Sequence, residues 1–262
     1  MITRVISTSS ELPKAFATNY VWIANNLSKE TKELPIKDFK LLSTICYEFI
    51  EYFHQSGIQD ESTLVDIVQA LAQLSSTSDG EALKWVSGIN FAQDGVLIAV
   101  MCDLLSNKNE AIHKEALRYM GGILNSEEER IFTKSMFNGL LDKVINIMYS
   151  PNHNLVKESL WTLSNLTASG PNYCRDFVKS SAMHRALNLA KSHNIDIQEE
   201  ALWVLCNAVT CGTDVNARDA FLVESNEEQG EIVNVMLKGL RVKNSKLVTN
   251  ILQSLNMLLK TD

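Results

Sequence analysis

The sequence predicts an all-α fold, a right-handed superhelical solenoid of about six repeats, and three observations carry that prediction. Lys157–Gly170 (KESLWTLSNLTASG) returns 42 residues later as Glu199–Gly212 (EEALWVLCNAVTCG), both copies holding E-x-L-W-x-L-x-N, then four residues and Gly. Gly at 11 and Pro at 4 are too scarce for a chain of many tight turns. The apolar residues recur at spacings of three and four, the period of a helix with one buried stripe.

Taken in order, Met1 to Ser10 shows no stripe and is expected to be a flexible arm, with residues 11–262 a single solenoid. A helix runs from Glu11 to about Leu27, and a polar connection from Ser28 to Leu34 precedes Pro35. Ile36 to Gln55 is amphipathic, with Phe39, Phe49, Tyr52 and Phe53 assigned to the core, and Gly57 stops it. Ser62 to Leu74 follows, then Leu83 to Ile89, Gly95 to Leu105, Ala111 to Leu124, Phe132 to Phe137 and Gly139 to Tyr149. The first Trp stretch comes next, then Tyr173 to Lys179, Ala182 to Ser192 and the second Trp stretch. Val215 to Glu224, Glu231 to Val242 and Lys246 to Leu259 complete a cadence of helix trios.

The positions Trp22, Gln69, Arg118, Trp161, Trp203 and Gln253 line up one per repeat, at spacings of 47, 49, 43, 42 and 50. An all-helical period in the forties indicates armadillo or HEAT units, which bury their apolar faces only by stacking on neighbours. At about 100° per residue, Val156, Leu160 and Leu163 share a buried stripe, whereas Glu158, Trp161 and Asn165 fall together on another face. The echo sets Glu200, Trp203 and Asn207 the same way. Stacked third helices would therefore present a ladder of acid, indole and amide.

Composition narrows the function classes. A formal charge of −7 disfavours a nucleic-acid surface and suits a basic partner. Five Cys without C-x-x-C read as reduced thiols of an intracellular protein. No apolar run reaches the ~18 residues of a membrane span. The five His lie apart, and no phosphate loop, H-E-x-x-H or G-x-S-x-G occurs, so no catalytic residue, metal site or cofactor is expected and the chain is not read as an enzyme.

The two Trp stretches resemble the third helices of armadillo repeats in importin-α, most closely over Ala111 to Asp262. ALRYMGGILN (116–125) resembles the preceding repeat, where that family carries Arg in place of Trp, and NSKLVTNILQSLNMLL resembles the following one. The resemblance implies a concave groove for extended, basic peptides of nuclear-localisation type. It implies peptide-binding roles for Glu158, Trp161, Asn165, Glu200, Trp203 and Asn207, with Arg118 at the edge and Trp22 and Asn26 as a secondary site. It also implies cytoplasm and nucleus as the location.

The chemistry of those residue types agrees: Asn pairs with a peptide backbone, indole faces attract cations, and Glu supplies the counter-charge. The sequence also departs from the family. Nothing before Glu11 resembles its basic importin-β-binding segment, its first repeats have no counterpart, Gln69 and Gln73 replace Trp and Tyr, and Gly122 stands where Asn is expected. A scaffold subunit of a larger assembly, organellar or cytoskeletal, is therefore the alternative. The leucine-rich helix Lys246 to Leu259 adds the expectation of an end-on contact with a second copy or another subunit.

Overall fold

A computed structural model describes residues 14–56, 60–91, 95–210 and 229–259. The N-terminal arm, Gly57 and the expected helix Val215 to Glu224 lie outside the described residues. Among the described residues every regular element is helical, and no helix is long and apolar enough to cross a membrane. Two compact units emerge, residues 1–140 and 141–262.

The first unit holds α1 (Lys14–Leu27), α2 (Ile36–Ser56), α3 (Glu61–Leu74), α4 (Gly80–Val86), α5 (Val96–Leu104), α6 (Glu110–Ile123) and α7 (Glu129–Phe137). Ser28–Glu33, expected as an irregular connection, is 3₁₀-helical with a kink at Glu30. The central helix α3 packs on α1 and α6, which are thus the third helices of successive trios. Its buried stripe is Ile67, Val68, Leu71 and Leu74, spaced as the sequence predicts. Phe39, Phe49 and Phe53 are core, but Tyr52 is only half-buried and meets Phe53 edge-on at 5.9 Å, a position on the margin of the α2 stripe. The largest fully buried side chain, Tyr119, satisfies its hydroxyl by donating to the Val86 carbonyl at 3.0 Å.

The second unit follows α8 (Leu140–Ile147) with α9 (His153–Ala168), α10 (Pro171–Lys179), α11 (Ser181–Leu189), α12 (Ile195–Thr210), α13 (Gln229–Gly239) and α14 (Ser245–Leu259). Here α12 is the central third helix, packed on α9 and α14. Gly170 separates α9 from α10 at φ 151, ψ 163, a backbone region open essentially to glycine, and Pro171 then starts α10 at the first helical position. In α14, Leu247, Ile251, Leu255 and Leu258 are buried while Leu252 and Leu259 face outward.

Four helices, α6 in the first unit and α9, α12 and α14 in the second, start with the same device. Asn109, Asn152, Asn194 and Asn244 each turn the side-chain oxygen onto the first turn of their own helix, satisfying backbone N–H groups that the helix leaves unpaired. Three also engage the preceding third helix through the amide nitrogen. Asn109 donates to Glu61 Oε2 at 3.0 Å and Asn244 to Glu199 Oε2 at 3.1 Å, and Asn194 lies 3.4 Å from His153 Nδ1. One residue type thus both caps a helix and joins it to its neighbour.

Candidate functional site

The stripe geometry fixes which groups stay accessible on α9 and α12. Val156, Leu160 and Leu163, with Leu202 and Leu205, are buried against neighbouring helices. Glu158, Trp161, Asn165, Glu200, Trp203 and Asn207 are all half-buried. α9 and α12 pack side by side, and the 42-residue echo sets the two Glu, two Trp and two Asn at equivalent positions along them. The indoles, however, are partly sunk rather than exposed.

Among the described residues no group hydrogen-bonds the N–H of either indole, and no ring or cation stacks on either face. Trp85 in the first unit makes the contrast. Lys40 sits 4.3 Å over its ring and Phe91 meets it edge-on at 5.9 Å, the ordinary satisfied state of a structural Trp.

The structure gives Asn207 a bond that sequence does not suggest. Asn207 donates its Nδ2 to the Ser164 carbonyl on α9 at 2.9 Å, so half of its amide already joins two repeats. Ser164 in turn donates to the Trp161 carbonyl at 2.8 Å. Among the described residues the side-chain oxygen and second N–H of Asn207 make no further hydrogen bond.

Around the acids sits a cluster that sequence reading missed. Lys157 reaches Asp196 at 3.4 Å, and Glu199 is held by Asn244. Glu200 is pushed up to about 7, first by burial and then by Glu158, Glu199 and Asp196, against the opposing pull of Lys157. Among the described residues no cluster of His, Cys, Asp and Glu is arranged to hold a metal ion. The signal was available: Lys157 and Asp196 stand at the starts of two helices known to be neighbours.

The remaining predicted residues belong to the first unit. Arg118 is exposed and its Nη1 lies 3.6 Å from Glu115, which is itself only 7% exposed and also lies 3.8 Å from Lys114. Glu115 precedes Arg118 by three, as Glu158 precedes Trp161, and Asp66 precedes Gln69 likewise, so the same acid register recurs in both units. Gly122 has a reason to replace Asn. A Cβ there would lie 2.2 Å from Ser75 Oγ and 2.6 Å from the Ser75 carbonyl, so only hydrogen fits between α6 and the end of α3. Trp22 is 59% exposed, and Asn26 is spent locally, donating to the Trp22 carbonyl at 2.8 Å and accepting from Lys29.

No family model matches the chain, and no curated protein matches it in sequence. Solved structures do match. An engineered protein from a structural genomics consortium is 14% identical with a TM-score of 0.75, the match covering 98% of each chain. A designed armadillo repeat protein is 11% identical at a TM-score of 0.73, over 97% of this chain and 98% of that one. A second designed armadillo repeat protein, solved in complex with the peptide (KR)4, is 16% identical at 0.64, over 92% of this chain and 99% of that one. At these identities the likeness establishes the fold: the helix trios are armadillo repeats.

Proposed function

We propose that this chain is a non-catalytic peptide-binding module, resembling importin-α, that holds an extended basic peptide of nuclear-localisation type on α9 and α12. The observation that carries this reading is the pair of half-buried indoles, Trp161 and Trp203, one repeat apart, with no described partner on their faces. Each stands between an acid one turn before and an amide one turn after. A Lys or Arg stem lying between them gains cation–π attraction of about 0.5–2 kcal/mol per ring and a carboxylate at its head. The amides of Asn165 and Asn207 suit the peptide backbone, which fixes an extended chain without reading its sequence. The basic (KR)4 peptide of a structurally similar designed protein supports the same chemistry.

Calorimetric titration with capped (KR)4 tests the reading. Affinity that falls steadily as NaCl rises is expected, because exposed charge pairs are screened over about 10 Å at 0.1 M salt. Absence of binding at low salt would refute it.

The scaffold reading keeps one observation in its favour. Leu252 and Leu259 are 53% and 65% exposed on the last described helix, which suits an end-on contact with a second copy or another subunit. Light scattering coupled to gel filtration at micromolar concentration tests self-association. A strictly monomeric protein would remove the second-copy form of that contact.

A further inference from the structure

The two acids of the candidate site differ in their surroundings. Among the described residues no hydrogen-bond donor reaches the carboxyl of half-buried Glu200. Its neighbours are tied elsewhere: Glu199 accepts from Asn244 at 3.1 Å, and Asp196 from Lys157 at 3.4 Å. The described charged groups that act on Glu200 are Asp196 and Glu199 on its own helix and Lys157 and Glu158 on α9. The other helices packed on α12 contribute no such group among the described residues. Three acids therefore act on Glu200 against one cation, and Asp196 already holds that cation.

A carboxyl so placed has little to stabilise its charge until a ligand brings donors and positive charge with it. Trp203 stands one turn along the same helix, so a basic side chain stacked on that indole carries its head group to Glu200.

We propose that Glu200 is a proton-linked counter-ion of the peptide site: docking of a Lys or Arg side chain beside Trp203 displaces its proton, and binding strengthens as pH rises through neutrality. This rests on the peptide-binding reading above. The step balances simply. The O–H bond of the Glu200 carboxyl breaks, the proton passes to buffer, and the ligand's ammonium or guanidinium keeps all its own protons. The carboxylate left behind becomes a partner for the cation beside Trp203. The site then tells basic from neutral side chains more sharply above neutral pH than below it.

Acetylated and amidated (KR)4 is a suitable probe, since none of its groups titrates between pH 6 and 8. Its binding is measured by calorimetry at pH 7 in phosphate and in Tris, whose ionisation heats differ, and its affinity at pH 6 and pH 8. With Glu200 at about 7 in the free protein, the expected release is about half a proton per peptide at pH 7. Affinity should be about tenfold higher at pH 8 than at pH 6. In Glu200→Gln the buffer-dependent heat should vanish and the affinity should become flat with pH. Binding with equal heats in both buffers and no pH dependence would overturn the proton linkage while leaving peptide binding intact. No binding at any pH would overturn both. The buffer comparison uses the unaltered protein, so it stands even if the variant misfolds.

Discussion

Asn207 donates its side-chain amide to the backbone carbonyl of Ser164, 43 residues earlier, at 2.9 Å. The bond joins α12 to α9, and in the proposed peptide site the amide oxygen of the same residue serves a ligand backbone. Asn207→Ala should therefore lower stability by about 1 kcal/mol, the net worth of such a bond, and weaken peptide binding as well. Urea unfolding and peptide titration of the same variant check both. Unchanged stability would mean that the bond contributes nothing.

Gly122 is expected to tolerate no side chain. Overpacking a contact this close typically costs about 1–3 kcal/mol, so Gly122→Ala should lower the urea midpoint clearly, and Gly122→Asn by more. The variant Gly122→Ala with Ser75→Gly removes the obstructing Oγ and Cβ. It should recover part of the loss, whereas equal stabilities of wild type and Gly122→Ala would sink the steric account.

The repeated helix caps give a third expectation. Asn194→Ala removes the acceptor for the N–H groups of Asp196 and Ile197, at 3.1 and 3.3 Å. A loss of about 0.5–2 kcal/mol is expected, with Asn194→Asp, which keeps the acceptor, losing less. Thermal unfolding of the two variants decides it, and equal losses would show that the cap is not the source.

Stability should also carry the mark of Glu200. Burial raises its folded-state value to about 7 from 4.5. The folded protein thus binds this proton more tightly than the unfolded chain does. Its favourable contribution is complete below about 4.5 and is lost as pH rises through 7. The always-neutral Glu200→Gln should match wild type near pH 4.5 and exceed it by about 1–2 kcal/mol at pH 8, a figure reduced for the solvent that reaches a half-buried group. Urea unfolding across that range checks it, and a gap that does not change with pH would exclude the titration of Glu200 as its cause.

How much of this was legible from sequence depends on the range of the interaction. The stripe of Val156, Leu160 and Leu163 is local to one helix, and 3.6-residue periodicity places it correctly. The 42-residue echo shows that α9 and α12 are equivalent, which suffices to align Trp161 with Trp203. Helix periodicity alone does not tell how deeply neighbouring helices enclose an indole, so both emerged half-buried. The absent Asn at Gly122 was visible as a gap in the ladder, but its cause, Ser75, is 47 residues away and belongs to the packing of two helices. Asn109, Asn152, Asn194 and Asn244 recur near the repeat period, but their capping role emerged only from the structure. So did their second bonds to Glu61, Glu199 and His153, since they depend on the lateral offset between third helices. Glu200 stood out only as the partner of Trp203. Its raised proton affinity comes first from burial that no single helix contains, and then from Glu158 across the helix interface with Glu199 and Asp196 on its own helix, against the pull of Lys157.

The central claim is that Trp161 and Trp203 bind cationic side chains, and the double variant Trp161→Ala/Trp203→Ala tests it most directly. Because both indoles are half-buried, the variant should remain folded by circular dichroism, each change costing less than the ~3–5 kcal/mol of truncating a fully buried aromatic. Calorimetric titration with capped (KR)4 at pH 8 and low salt should then show binding by wild type and a loss of about tenfold or more in the double variant. Equal affinity of a folded double variant would contradict the claim.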